Sequence, residues 1–340
     1  MQSRIKKRLS TRKKLSTNSN SNWPQVEHQP KNDRTDFTID DCVINLYAVD
    51  REIWHGMTKA EMITYYHQVA PFLLKFIYNR PQSLHVKYKG VHATGVYIKD
   101  MEGRQPDCAT VFTDQRRHKA EGKRHIIDYL VCNNEATLLW MINLGCIDIN
   151  PWHARITEPF HPDYIVIDLD PTEKVLSDKG QERLMTVALA TKDYCDQLNL
   201  KVFAKTSGKT GMHFLVPCSG FDYKQSRQMA KKMCDEVHKL TPDESTTEIS
   251  VSNRTNKVYL DISQNDYADT IAGPYCLRPY LVPTVSTPLA WKEIKRGLDP
   301  GTFTTNIVLK RLASKGDLWA KILAPAIIIH NNKQLRKMMS

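Results

Sequence analysis

Residues 163–173, Asp-Tyr-Ile-Val-Ile-Asp-Leu-Asp-Pro-Thr-Glu, join an apolar run suited to a buried strand with two carboxylates two positions apart. Side chains two apart on a strand share a face, so Asp168 and Asp170 converge at one edge of a buried sheet. Carboxylates held that close repel unless something positive lies between them, and a divalent cation is the usual solution. A strand ending in a solvated Asp-Pro turn carries the same letters, so the motif needs support from elsewhere in the chain.

Downstream, residues 200–217 read as strand, glycine turn, strand. Gly208 and Gly211 let backbone approach an anion closely, and Lys205, Ser207, Lys209, Thr210 and His213 are suitable phosphate donors. The string Gly208-Lys209-Thr210 is not a P-loop, because that motif requires glycine where Phe203 stands and a helix afterwards. An ordinary hairpin with a solvated lysine tip has the same pattern. A third apolar strand, Lys257-Val-Tyr-Leu-Asp261, carries one more acid among aliphatic neighbours.

The order Asp-x-Asp, Ser-Gly-x-x-Gly-x-His, apolar-Asp resembles archaeo-eukaryotic-type primases. Within them, residues 163–172, 205–213 and 261–278, with Ala-Gly-Pro-Tyr-Cys-Leu-Arg at 272–278, are similar to the polymerase domain of bacterial ligase D. So are Asp128-Tyr-Leu, Ala136 to Trp140, Asn143-Leu-Gly145, Pro151-Trp152 and Val285 to Trp291, and the resemblance covers roughly residues 36–325.

That resemblance implies a template-directed nucleotidyltransferase that extends DNA 3′ ends with NTPs or dNTPs at gaps or breaks in non-homologous end joining. Asp168, Asp170 and Asp261 are then the catalytic acids and ligands of two Mg²⁺ or Mn²⁺ ions. Lys205, Ser207, Gly208, Lys209, Gly211, His213, Arg254, Gln264 and Arg278 form the nucleotide site. Arg51 and Lys59 fall where the family grips the 5′-phosphate of a gap or end, and Tyr97 and Lys99 where it stacks on the template and contacts phosphate. A ligase and the Ku end-binding protein are the expected partners in trans. Three positions depart from the family pattern: Thr210 stands in place of a hairpin lysine, Asn150 of a histidine and Tyr267 of an arginine. Only one ring, Tyr97, replaces the usual aromatic pair.

Two rival readings come from other classes. Asp168-Leu-Asp170-Pro-Thr172 also resembles the first motif of haloacid-dehalogenase-type phosphatases, though half the chain precedes it and no later Asp-Asp follows. A catalytically weak DNA-end-binding module serving a separate ligase fits the rewritten nucleotide contacts. Ligation itself is not expected, because no Lys-x-Asp-Gly adenylation motif is present.

The net charge of +11 suits an anionic partner, and residues 1–35, with nine Lys or Arg against two acids, hold +7 of it. That segment, poor in apolar residues, is expected to be a disordered basic tail. No apolar run approaches a membrane span, which points to a soluble, cytoplasmic, nucleoid-associated bacterial protein. The eight cysteines (42, 108, 132, 146, 195, 218, 234, 276) show no Cys-x-x-Cys pair and read as reduced thiols without zinc or a disulfide framework.

The fold expected is α+β: a primase-polymerase fold whose ferredoxin-like, RRM-like palm packs on an N-terminal α/β part. Its anticipated divisions are 36–160, the palm 161–285, C-terminal helices 286–325, and a basic end at 326–340. Thr58-Lys-Ala-Glu61 predicts a capping box before a helix to Ile77, and another helix is expected near 134–144. Strands are expected in the 36–50 region and at 83–88 and 93–99. The palm reads strand 164–169, helix 181–198, strands 201–206 and 212–216, helix 224–240 and strand 257–263. Thr287-Pro288 is expected to open a helix through Glu293.

Overall fold

The computed structural model describes residues 34–39, 41–115, 126–173, 176–254 and 256–339. Most of the basic N-terminal segment therefore lies outside the described residues. The N-terminal part begins with the hairpin β1 (Arg34–Ile39) and β2 (Cys42–Tyr47), followed by β3 (Glu52–Trp54) and β4 (Met57–Thr58). Helix α1 (Lys59–Ile77) starts at the predicted capping box, in which Thr58 Oγ1 accepts from the Glu61 amide and Glu61 Oε2 accepts from the Thr58 amide. Its buried face includes Met62, Val69, Leu73 and Phe76. Strands β5 (Leu84–Val86) and β6 (Val96–Ile98) pair antiparallel, as do β7 (Thr110–Asp114) and β8 (Ile127–Val131). Helix α2 (Glu135–Leu144), capped by Asn134, packs on α1.

The palm follows as β9 (Tyr164–Pro171), α3 (Asp178–Gln197), β10 (Phe203–Thr206), β11 (Met212–Pro217), α4 (Tyr223–Leu240), β12 (Ser245–Thr246) and β13 (Val258–Asp261). Short strands β14 (Leu277–Arg278), β15 (Thr284–Val285) and β16 (Pro288–Leu289) precede α5 (Thr305–Lys315) and α6 (Pro325–Met339). One sheet runs β12-β13-β9-β11-β10-β16. Its inner four strands have the β-α-β-β-α-β connectivity and antiparallel order of a ferredoxin-like unit. Strand β9 is central because Tyr164 to Ile167 and Leu169 are all fully buried, which only an interior strand allows. Helices α3 and α4 pack on each other and on β9. Phe76 of α1 stacks on Tyr164 of β9 with centroids 5.6 Å apart. By the strand alternation, α1 therefore ends over the face that Tyr164 shares with Asp168 and Asp170.

The expected helix at 287–293 does not form. The Thr287 amide donates to Thr206 Oγ1 and its hydroxyl to Val285 O, which fixes the residue against β10. Pro288 and Leu289 instead pair with Lys205 and Ala204 at the sheet edge, where proline is tolerated, and only a 3₁₀ turn at Trp291–Glu293 follows. The thiol expectation is also corrected at one pair. Cys42 and Cys108 form a disulfide joining the start of β2 to the segment before β7, while the other six cysteines are free and buried. Sixty-six residues separate the pair, and only the tertiary fold brings them together. Among the described residues, no helix is long and apolar enough to cross a membrane.

Candidate functional site

Antiparallel register brings four predicted residues into one row across the sheet. Asp261 of β13 lies opposite Asp168 of β9, Asp168 opposite His213 of β11, and His213 opposite Lys205 of β10. Directly opposed residues project to the same face, and Asp170 joins them two positions along β9. Burial pushes the Asp168 carboxyl well above the usual range, reinforced by Asp170 and then Asp261. Asp170 is raised by burial and Asp261, with Arg254 and Lys209 opposing. Asp168 and Asp170 thus sit in a net negative field that nearby cations only partly offset, one that a bound cation or proton would relieve. Among the described residues, no three His, Cys, Asp or Glu side chains are already drawn around one point, and Asp261 Oδ1 instead accepts from the Ser263 amide.

The basic half of the row is equally buried. Lys205, 0% exposed, donates from Nζ to Ser286 Oγ and to His213 Nδ1. That leaves His213 Nε2–H facing Asp168 Oδ1 at 3.5 Å. Burial, then Lys205 and Arg278, push His213 well below its ordinary value, so this contact is dipolar rather than an ion pair. Arg278, half-buried, has its Nε–H buried without a partner. Its charge reaches Asp168, Lys205, Lys209 and His213. An unsatisfied guanidinium N–H beside two lysines is suited to an anion.

The hairpin Ser207–Gly211 closes on itself, since Ser207 Oγ accepts from the amides of Lys209 and Gly211. Those two amides are therefore already used, but the Ser207 hydroxyl proton remains to donate. Both glycines serve close approach. A Cβ on Gly211 would lie 2.3 Å from Leu169 O, between the two acids of β9, and one on Gly208 (φ +78°) would lie 2.5 Å from Arg278 Cγ. Thr210, beside Lys209, lines an open cavity of about 560 Å³ with Asp170, Glu173, Tyr280 and Leu281. Arg254 lies 3.4 Å over the Tyr259 ring and donates to Glu248 O and Ile249 O, its charge reaching Asp170. Gln264 sits half-buried on the 3₁₀ turn after β13.

In the N-terminal part, Arg51 and Lys59 come together. The Lys59 amide bonds Arg51 O, and burial followed by the Arg51 charge pushes the Lys59 ammonium down to about 7. Both side chains donate to carbonyl oxygens, Arg51 to Tyr88 O and Lys59 to Tyr47 O, rather than to a carboxylate. Tyr97 and Lys99 are exposed at β6. Of the atypical positions, Asn150 is buried with Nδ2 3.5 Å from Asp148 O, and Tyr267 packs against Trp152, Phe160 and Tyr223.

Sequence reasoning missed Asn265 and Ser286. The buried Asn265 amide pairs with both Val166 N and Val166 O, standing in for a strand neighbour where β13 ends and fixing Asp261 against β9. Its only sequence signal is a polar residue in an apolar setting.

A family model described as LigD, primase-polymerase domain, matches residues 58–319. The bifunctional non-homologous end joining protein LigD of Bacillus subtilis is 30% identical over 264 residues, 76% of this chain and 40% of that one. The multifunctional non-homologous end joining protein LigD of Mycolicibacterium smegmatis is 28% identical over 288 residues, 83% of this chain and 36% of that one. The chain thus spans about two fifths of the length of these curated relatives. Among solved structures, the polymerase domain from Mycobacterium tuberculosis ligase D in complex with DNA is similar, with a TM-score of 0.74 and 26% identity over 83% of this chain and 98% of that one.

Proposed function

The chain belongs to the LigD primase-polymerase domain family, and from that premise we propose that it adds nucleotides to DNA 3′ ends at gaps or breaks in non-homologous end joining. The observation carrying this reading is the row Asp261–Asp168–His213–Lys205, with Asp170 beside it and the unpartnered Arg278 Nε–H above. Three carboxylates on one face of the sheet are a fitting set of hard oxygen donors, so Asp168, Asp170 and Asp261 would hold two Mg²⁺ or Mn²⁺ ions. When bound, such ions supply charge neutralisation and a more acidic 3′-hydroxyl.

The remaining work is positioning, which phosphoryl transfer needs more than a protein nucleophile. Lys205, Ser207, Lys209, His213 and Arg278 bind and orient the triphosphate of an NTP or dNTP, and Gly208 and Gly211 let their hairpin seat against Arg278 and β9. Arg254 and Gln264 border the nucleotide. Arg51 and Lys59 take the 5′-phosphate of a gap, Tyr97 and Lys99 meet the template, and sealing falls to a ligase, with Ku at the ends. The phosphatase alternative loses ground on topology: β9 runs antiparallel to both of its neighbours, whereas a dehalogenase nucleophile ends a strand of a Rossmann-like parallel sheet.

On a gapped duplex with a recessed 3′ end, the protein is expected to add nucleotides in a Mg²⁺- or Mn²⁺-dependent manner, faster when the downstream strand carries a 5′-phosphate. Binding of that duplex without addition under any metal or nucleotide would replace this reading with the end-binding module.

A pH dependence follows from Lys205. Burial, with Arg278 adding to it, pushes its ammonium down to about 7. Binding an anionic triphosphate favours the charged form, so above about pH 7 binding requires proton uptake. The nucleotide KM is expected to rise by up to about tenfold per pH unit there, and less steeply in Lys205→Arg. The sign for folding is opposite to that for binding. The unfolded chain holds a proton on this lysine up to its ordinary 10.5 that the folded chain has lost, so this group makes stability rise with pH between about 7 and 10.5. A KM flat from pH 7 to 9 would remove Lys205 from the triphosphate site.

A further inference from the structure

His85 and Tyr97 are direct cross-strand partners on β5 and β6, so their side chains share a face. Their rings stack almost parallel, centroids 4.5 Å apart and planes 8° apart. The imidazole is the inner member, with its side chain 14% exposed, and the phenol the outer, 57% exposed. Large exposed aromatics need a reason, and here the inner face is covered while the outer face is left to solvent.

The imidazole is held from two sides. Its Nδ1 lies 3.1 Å from Asp148 Oδ1, whose side chain is 5% exposed. At its other edge, a Cβ on Gly95 would lie 2.3 Å from Nε2, so only glycine lets the chain leading into β6 close over the ring. Asp148 in turn feels Arg278: burial raises its carboxyl, but the His85 hydrogen bond and the Arg278 charge outweigh this and hold it below its ordinary value. The fields of Asp148 and Arg278 both reach the Tyr97 hydroxyl. An aliphatic residue at 85 could fill the space but would neither present a flat surface nor bond Asp148.

We propose that His85 is a positioning residue that holds Tyr97 as a stacking platform for a nucleobase of the bound strand and is itself fixed by the buried Asp148 carboxylate. The proposal rests on the polymerase reading for its ligand, and it adds a second ring, anchored by a buried carboxylate, behind the exposed one. Base–aromatic stacking is worth enough that its loss weakens binding by about tenfold.

The test uses the whole chain and a gapped, 5′-phosphorylated duplex with 2-aminopurine as the templating base, whose fluorescence falls on stacking. Quenching is measured together with KM and kcat for the incoming nucleotide. His85→Ala is expected to lose most of the quenching and raise KM about tenfold with kcat within about twofold. His85→Phe, which restores a ring and guards against simple misfolding, should recover most of the quenching and bring KM back towards the wild-type value, short of it by what the Asp148 bond contributes. His85→Asn should fail to quench. Wild-type quenching and KM in His85→Ala would overturn the proposal while leaving the polymerase reading intact. A wild type that quenches but never extends, with quenching lost in His85→Ala, would sink the polymerase reading and keep the platform. A wild type that does neither sinks both.

Discussion

Replacing Asp168 by alanine is expected to lower metal-dependent nucleotide addition by about 10³-fold or more while leaving affinity for gapped DNA nearly unchanged. The size follows from its place. Asp168 is the member of the row that touches both halves, opposite Asp261 on one side and His213 on the other. Its burial and two acidic neighbours already disfavour its charged form, so the folded protein bears a cost to keep it there. Removing it relieves that cost, and the variant should fold at least as stably as the wild type. Loss of activity with a retained or higher urea midpoint separates a functional carboxylate from a structural one. Addition persisting within about tenfold of the wild type would place the chemistry elsewhere.

The largest effect on stability is expected at Arg80, immediately beyond α1. Its fully buried guanidinium donates to Phe76 O, Trp152 O and His153 O and pairs with Asp163, which Arg155 also contacts at 2.9 Å. Asp163 directly precedes β9, so this network ties the base of the acid-bearing strand to the end of α1. Arg80→Leu keeps much of the bulk but takes the guanidinium donor from Phe76 O, Trp152 O and His153 O, the last of which keeps the Asp163 amide, and removes one cation from Asp163. A loss of about 3–5 kcal/mol is expected, as for other broken buried pairs, read as a lower urea midpoint at unchanged slope. A change below about 1 kcal/mol would mean that Arg155 and solvent can replace the network.

The palm was legible because its signals are local. Continuous apolar runs marked β9, β11 and β13, and the Thr58–Glu61 box marked the start of α1. Much of the site was legible for the same reason: Asp168 and Asp170 declare a shared face by spacing alone. What stayed hidden depends on pairings between residues far apart. Nothing near Cys42 points to Cys108, nothing near Arg80 to Asp163, and nothing near His85 to Asp148. Thr287-Pro288 misled because a helix start and a sheet-edge strand use the same letters, and the neighbouring strand β10 decided between them. The hairpin glycines were read as making room for an anion, whereas much of their freedom goes to packing against Leu169 and Arg278.

The row across β13, β9, β11 and β10 makes the site obey a parity rule. Each of its four members comes from a different strand, and each strand alternates faces, so inserting or deleting a single residue within β11 would turn His213 to the far side of the sheet while leaving the fold's outline in place. A change of two residues would restore the facing. Length variation among relatives of this chain should therefore gather in the loops, and nucleotide addition becomes a sensitive reporter of strand alignment: preparations that look folded by helix content but have slipped by one residue would be silent.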